Sequence, residues 1–408
     1  MLEQPHFGQR LRALRVGRGL SQAALAGDAM STGYLSRLES GARPPTAKSV
    51  DYLAERLDVP VSAFAREKGP VLGHVLAAVT SVSDDGLDEF LADPLAEALR
   101  ADDGQDPALR WQALWLLARM RGRQGRCTEE YELTAELHKL ADELGVAELR
   151  VRAYTQHSRC ARSIGRIAEA CEYAAGAVGA AAGLTLTDRA GALHALVSAE
   201  AEAGRLAEAE AHARELCALT GPVGGSTHTR ALWAAATVGI RRGAYQEAND
   251  LLERALEGLD SHEDPGLWLR LRLAAASLLL QTVPPQTAKA RASLEQIGPA
   301  LEIVGTEVRR QEALLLHAQL ACAEGDLARA RELCDQAQAL DLRLSFRDRI
   351  RLQVLSGRLD VLAGRTSLGI QRLSDLARQA VEAHNVELAA ETWRTLAEAL
   401  AEGRGEQG

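Results

Sequence analysis

The sequence predicts an all-α protein: a compact unit of short helices at the N-terminus, then a long stack of helical hairpins closed by a capping helix. Three observations carry this. Alanine and leucine dominate a 408-residue chain that is 47 % apolar, 25 % charged and only 4 % aromatic. That composition suits helices packed closely through small side chains and disfavours a β-sandwich, which needs β-branched and aromatic strands. A glycine-led pattern recurs about every forty residues over most of the chain, and the first 69 residues have a different texture.

In that head, residues 7–18 place Phe7, Leu11 and Leu14, and one step on Arg15 and Val16, at helical spacing, and Gly19 ends the helix. Ser21 caps a second helix over 22–26, with Leu25 turned inward, and Gly27-Asp28 makes the turn. Ser31 caps a third helix running to about residue 40, with Tyr34, Leu35 and Leu38 on one face and Gly41 in a left-handed position behind it. Pro44-Pro45 enforces an extended link, Thr46 caps a fourth helix over 47–57, and a short fifth turn follows Pro60.

The run LRALRVGRGLSQAALAG and, further on, STGYLSRLESGARPPTAKSVDYLAERLDV carry the paired signatures L-S-Q and S-R-L-E-x-G. Over about 60 residues they resemble the Xre, or phage-repressor, class of helix-turn-helix DNA-binding domains, with a turn between helices two and three that is one residue short. The resemblance implies a five-helix lambda-repressor-like domain over residues 1–69, its third helix in the major groove of double-stranded DNA. It turns Ser31, Thr32, Gly33, Ser36 and Arg37 toward DNA, with Arg37 able to donate a bidentate pair to guanine. The alternative for Arg37 is a solvated helix arginine. By the same resemblance Gln22 grips a phosphate at the start of helix two, Arg43 makes a second phosphate contact, and Arg15 pairs internally with Glu39. Charge agrees in sign. Residues 1–69 hold ten Lys and Arg against seven Asp and Glu, a net +3, whereas the remainder holds 37 against 49, a net −12.

Behind the head, the pattern G-x-apolar-x-x-A starts at Gly165, Gly204, Gly243 and Gly325, with weaker copies at Gly125 and Gly364 and a proline-led copy at Pro285. The intervals between successive starts are 40, 39, 39, 42, 40 and 39 residues. About 18 residues of helical pattern precede each start, and a second amphipathic helix follows it. The glycine allows a tight interhelical turn and the small residue five places on lets the two helices approach closely. One hairpin cannot bury its own apolar face, so neighbours must stack. The units are similar to tetratricopeptide (TPR) repeats, but longer than the roughly 34 residues of that repeat and without its W-x-x-L-G-x-x-Y run. The reading is therefore about seven TPR-like hairpins and a capping helix over residues 106–403, connecting helices over 70–105, and a disordered tail over 404–408.

Aligned on the turn, the first helices should line a concave groove with Trp115, Arg119 and Arg123, then Arg152, Arg159 and Arg162, then His194 and Ser198. Arg230, Trp233, Thr237 and Arg241 follow, and later Gln319 and Arg358, with Glu202 and Glu312 as acidic exceptions. Arginine forks bind carboxylates bidentately and tryptophan gives a rigid apolar anchor, so the groove suits an anionic effector, such as a small anion or a peptide with its C-terminus. The alternative is that these arginines pair with carboxylates on adjacent helices and the tryptophans pack between repeats.

Head and body together resemble bacterial regulators that join an Xre-type domain to TPRs, including the peptide-sensing RRNPP group. Those sensors clamp peptide backbones with asparagines. This chain has two, Asn249 and Asn385, and neither is at a groove position. The implied function is a cytoplasmic, homodimeric transcriptional regulator on a palindromic operator, its solenoid dimerising and sensing an effector. The alternative is an interaction scaffold that the head localises to DNA. The arginine-rich, lysine-poor composition suits a GC-rich genome such as an actinobacterium's.

Other classes find no support in the sequence. No apolar run is long enough to span a membrane, and MLEQPHFGQR lacks the basic and apolar regions of a signal peptide. Six scattered cysteines, Cys127, Cys160, Cys171, Cys217, Cys322 and Cys334, form no C-x-x-C pair. There is no P-loop, G-x-S-x-G or H-E-x-x-H, and His138, His157 and His317 sit singly on helical faces. Neither catalysis nor a metal or cofactor is expected.

Overall fold

Hydroxyl side chains set where the head's helices begin. The computed structural model describes residues 4–64, 72–81, 88–102, 104, 106–262 and 264–405. The head has α1 (His6–Gly17), α2 (Gln22–Ala26), α3 (Thr32–Glu39), α4 (Ala47–Leu57) and a 3-10 turn, Val61–Phe64. Ser21 Oγ accepts from Ala24 N–H and Ser31 Oγ from Tyr34 N–H, each at 3.1 Å, while Thr46 and Ser49 form a reciprocal capping box. The last carbonyls of α2 are satisfied from α4: Tyr52 Oη donates to the Ala26 oxygen and Arg56 Nη2 to that of Ala24, both at 2.9 Å. Phe7, Leu11, Leu25, Leu35, Leu38, Leu53, Leu57 and Phe64 are fully buried at the centre, with the rings of Phe7 and Phe64 5.4 Å apart. Val16 departs from the expected apolar stripe. It is 60 % exposed, because at about 3.6 residues per turn it falls on the side of α1 opposite the face that Phe7, Leu11 and Leu14 present. At Gly8, α1 crosses the end of α3 so closely that a Cβ would stand 2.2 Å from the Leu38 carbonyl oxygen.

The chain divides into two compact units, Met1–Val71 and Leu72–Gly408. The second begins with α5 (Leu72–Thr80) and α6 (Asp88–Ala101). Seven hairpins follow: α7 (Pro107–Arg123) with α8 (Cys127–Leu144), α9 (Ala147–Ser163) with α10 (Ile167–Ala180), α11 (Leu186–Glu202) with α12 (Leu206–Thr220), and α13 (Gly225–Arg241) with α14 (Tyr245–Glu257). Then come α15 (Pro265–Gln281) with α16 (Thr287–Glu295), an extra helix α17 (Gly298–Val304), α18 (Glu307–Ala323) with α19 (Leu327–Gln338), and α20 (Phe346–Leu362) with α21 (Thr366–Glu382). The capping helix α22 (Val386–Gly405) runs two residues past the expected end at 403, into the span expected to be a disordered tail, and 406–408 lie outside the described residues. No strand occurs among the described residues. The architecture is an α-solenoid of TPR-like hairpins.

The repeat pattern has a direct physical counterpart. The first helix of every hairpin has 17 residues. Six turns hold their glycine at φ between 72° and 86°, where a Cβ is disfavoured. Five residues on, Ala170, Ala209, Ala248, Ala290 and Ala330 are buried to 1 % exposure or less. The first hairpin has Glu130 at that place, and Gly122 opposite makes room: a Cβ there would lie 2.8 Å from the Glu130 carboxyl.

The stack also returns on itself. Arg343 Nη1 donates to the Gln124 carbonyl in the first hairpin's turn at 3.3 Å. The Phe346 ring covers Gly165 in the second turn, and Asn385 Nδ2 donates to Glu202 Oε2, beside the third, at 3.2 Å. These contacts bring late first helices opposite early ones across the concave face.

Candidate functional sites: a reading helix and an arginine-lined cavity

Helix α3 has two unlike faces. Leu35, Leu38 and Glu39 are buried, while Thr32, Gly33, Ser36 and Arg37 are exposed. Glu39 is held from two sides: Arg15 Nε donates to Oε1 at 2.6 Å and Nη2 to Oε2 at 3.0 Å, and Gln22 Nε2 donates to Oε2 at 2.7 Å. Burial disfavours the charged carboxyl, but these bonds outweigh it and hold Glu39 below the usual carboxylate range. Arg43, exposed beyond α3, lies over the Tyr34 ring at 5.0 Å, and its backbone carbonyl is held by Gln4 Nε2 at 2.7 Å. The result is a rigid strip of short polar groups flanked by two arginines.

In the solenoid, the first helices surround a cavity of about 730 Å³. One wall presents Arg159 from α9, His194 from α11, Arg230 from α13 and Arg270 from α15. Among the described residues, Arg159 has no hydrogen-bond acceptor and no carboxylate within 4.0 Å; Arg270 donates only to the Gly266 carbonyl, and the nearest carboxylate to Arg230 is Asp264 at 3.8 Å. Arg230 and Arg270 are half-buried, and Arg159 is exposed within the cavity lining. Burial, then Arg230 and Arg162, lowers its proton affinity to about 10. Burial and the neighbouring Arg230 and Arg309 do the same to Arg270, also to about 10. Burial and the charges of Arg159, Arg162, Arg230 and Arg270 push His194 down to about 3, so its imidazole is neutral near pH 7.

The other arginines of the lining are neutralised. Arg309 pairs with Glu312 at 2.5 Å, Arg162 with Glu202 at 2.6 Å, and Arg351 with Glu391 at 2.7 Å and with Gln281 Oε1 at 2.8 Å. Arg347 pairs with Glu387 and lies 3.7 Å from Glu202. Burial alone would lower the Arg347 affinity for its proton, but Glu387, Glu202 and Glu391 raise it instead. Apolar surface comes from Trp233, Leu273, Leu315 and Leu316.

The comparisons with known proteins address the two units separately. Residues 6–66 match the family model of a helix-turn-helix domain. The head is a helix-turn-helix domain. The fold over most of the chain is shared with the crystal structure of a Rap protein complexed with competence and sporulation factor, at 11 % identity and TM-score 0.53, covering 82 % of this chain and 99 % of that one. At that identity the likeness is one of fold. Also similar are Bacillus thuringiensis PlcR, solved with the peptide PapR7 and DNA, at 16 % identity, TM-score 0.41, and 76 % and 98 % coverage, and a tetratricopeptide repeat protein from Parabacteroides merdae at 15 %, 0.45, and 67 % and 94 %. No curated protein sequence matches the chain.

In the helix-turn-helix domain, the residues expected to face DNA divide. Thr32, Gly33, Ser36, Arg37 and Arg43 are exposed on and beside α3, and Ser31 is exposed as its cap. The Gln22 side chain, expected on a phosphate, is instead turned to Glu39, which needs a second donor once Arg15 has taken one edge. Its backbone amide still sits at the start of α2.

The groove expectations divide as well. Arg159, Arg162, His194, Arg230 and Trp233 line the cavity with Ser198, Gln319, Glu202 and Glu312. Trp115, Arg119, Arg123 and Arg241 do not. Trp115 stacks on Trp111 at 5.5 Å in the core under the first hairpin. Arg241 is buried beside Glu387 at 4.0 Å, and Arg152, outside the cavity, pairs with Asp188 at 2.8 Å. Internal pairing therefore holds for Arg152 and Arg162 but not for Arg159, and Arg241 only approaches Glu387, with its Nε and Nη1 buried and without a hydrogen-bond partner.

Sequence reasoning missed Arg270, Arg309, Asp348, Arg347 and Arg351. The fifth turn is five residues long where the glycine-led turns are three, so aligning it on Pro285 displaces α15 by two residues and hides Arg270. The other four lie in the N-terminal halves of their helices, one to two turns before the aligned positions. An i, i+3/i+4 stripe extended to the helix starts would have found them.

The remaining polar clusters are structural. His157 bonds Thr134 Oγ1 at 2.9 Å and Glu169 Oε1 at 3.0 Å, which occupies both ring nitrogens. Among the described residues no group of three His, Cys, Asp or Glu could hold a metal ion, and no helix is long and apolar enough to cross a membrane.

Proposed function

We propose that the chain is a sequence-specific DNA-binding transcriptional regulator of the cytoplasm whose solenoid senses an anionic effector in the arginine-lined cavity. The observation that carries the reading is the exposed strip Thr32, Gly33, Ser36 and Arg37 on a helix whose opposite face is locked by Leu35, Leu38 and the Arg15–Glu39 pair. A rigid recognition helix lets short side chains meet base edges while the α2 N-terminus and Arg43 hold phosphates. One such domain reads half a site, so a homodimer on an inverted repeat follows from geometry. The effector acts by favouring one spacing of the two domains over another.

The test is selection of binding sites from a random duplex pool by the full chain and by its Arg37→Ala variant. The expected outcome is an inverted repeat for the wild type. The variant should lose about 1–3 kcal/mol of affinity and its preference at a single position per half-site. A uniform loss over all sequences would make Arg37 a phosphate contact, and an unenriched pool would overturn sequence-specific binding.

A further inference from the structure

Resting on that reading of the cavity, we propose that the wall formed by Arg159, Arg230 and Arg270 is a receptor for a small molecule bearing a phosphate monoester, a tetrahedral dianion, rather than for a peptide. Three guanidiniums, each from a different first helix, face one space with no carboxylate closer than the 3.8 Å of Asp264 to Arg230. Each is a planar fork of N–H donors with no acceptor of its own. A single carboxylate carries one charge and is satisfied by one fork, which leaves two cations facing each other. A phosphate monoester carries up to two charges and three terminal oxygens, so it can take a hydrogen bond from every arginine. The neutral His194 beside them adds a hydrogen-bonding group without adding charge.

The remaining volume fits a small organic body. At about 730 Å³ the cavity falls within the range of small-molecule sites, and Trp233, Leu273, Leu315 and Leu316 give it an apolar lining. Among the described residues, Gln319 is the one amide side chain in the lining that could pair with a peptide's backbone. Asn385 is instead buried against Glu202, and Asn249 lies on a different pocket with Leu252 and Arg272.

The experiment uses the purified full chain, phenyl phosphate as probe, and benzoate as the aromatic monoanion that lacks the tetrahedral group. Binding is followed by calorimetric titration, with inorganic phosphate as competitor. Phenyl phosphate should bind at least about tenfold more tightly than benzoate, be displaced by inorganic phosphate, and lose at least about tenfold in both Arg159→Gln and Arg270→Gln. Each variant removes one of several mutually repelling cations, so each should melt no lower than wild type without ligand, which separates lost binding from lost folding. Equal affinity for the two probes, no binding of phenyl phosphate, or unchanged binding in both variants overturns the proposal. So does a random hexapeptide mixture that binds where phenyl phosphate does not. Operator selection by the same preparation reports separately on the regulator reading: an enriched inverted repeat without phosphate binding sinks only the ligand assignment, and phosphate binding without enrichment sinks only the DNA assignment.

Discussion

In the helix-turn-helix domain, the buried Glu39 meets Arg15 on both oxygens and Gln22 on one, while Arg37 and Arg43, which have no partner carboxylate, stand in solvent. In the solenoid the arrangement is inverted. Arg162, Arg347 and Arg351 are closed off by carboxylates, but Arg159 and Arg270 line the cavity without one. Unpaired charge in water costs little, so its placement on α3 is free to serve a partner. Unpaired charge inside a cavity is costly and persists only where something else offsets it. On the proposed reading, the same residue type marks a surface that reads in one unit and a space that receives in the other.

Glu39→Ala breaks the head's side of that comparison most directly. Removing one partner of a buried pair leaves Arg15 and Gln22 uncompensated, and the domain should lose about 3 kcal/mol. The five tryptophans, at 111, 115, 233, 268 and 393, all belong to the solenoid, so tryptophan fluorescence follows that unit alone. Calorimetry should show one transition moving down while the fluorescence melt stays in place. Unchanged calorimetric melting with lost DNA binding would instead put Glu39 at the DNA.

A pair of glycine variants probes how the solenoid holds its cavity walls together. Gly165 and Gly243 have similar left-handed φ, 86° and 78°. Alanine at either costs about 1–2 kcal/mol for the backbone alone. At Gly243 a Cβ meets nothing within 4 Å, whereas at Gly165 it comes within 2.8 Å of the Phe346 ring. Gly165→Ala should therefore cost roughly 1–3 kcal/mol more than Gly243→Ala, measured as the difference in urea midpoint by tryptophan fluorescence. Equal costs would mean that the Phe346 contact does not stabilise the closed stack.

What was legible in the sequence were relations over short distances. Ser21, Ser31 and Thr46 announce their helices because a cap acts within three residues, and the glycine lattice announces the hairpins because each turn repeats one local geometry. Arg15 with Glu39 came through a family resemblance, not through spacing. The return contacts had no such signal: Gln124 with Arg343 and Glu202 with Asn385 are 219 and 183 residues apart. Which groove arginines are paired depends on those returns, since Glu387 and Glu391 reach Arg347 and Arg351 from the capping helix. The unpaired wall could be recognised only once the superhelix had brought its far side into place.

An effect absent at neutral pH sharpens the solenoid's side of the comparison through His194. Burial comes first, and the charges of Arg159, Arg162, Arg230 and Arg270 follow, in lowering its folded pKa to about 3. In the unfolded chain it titrates near 6.5. Between those values the unfolded state binds more protons, so stability falls as pH drops below about 6.5 and goes on falling toward 3, with no effect above neutrality. One such group contributes at most about 1.4 kcal/mol per pH unit. His138, His157 and His317 are also lowered, by burial first, so the slope of the wild type alone does not isolate this residue. The difference from His194→Gln does. Urea midpoints by tryptophan fluorescence between pH 4 and 7 should fall less steeply in the variant. Parallel slopes would show that His194 takes up its proton beside those arginines without penalty.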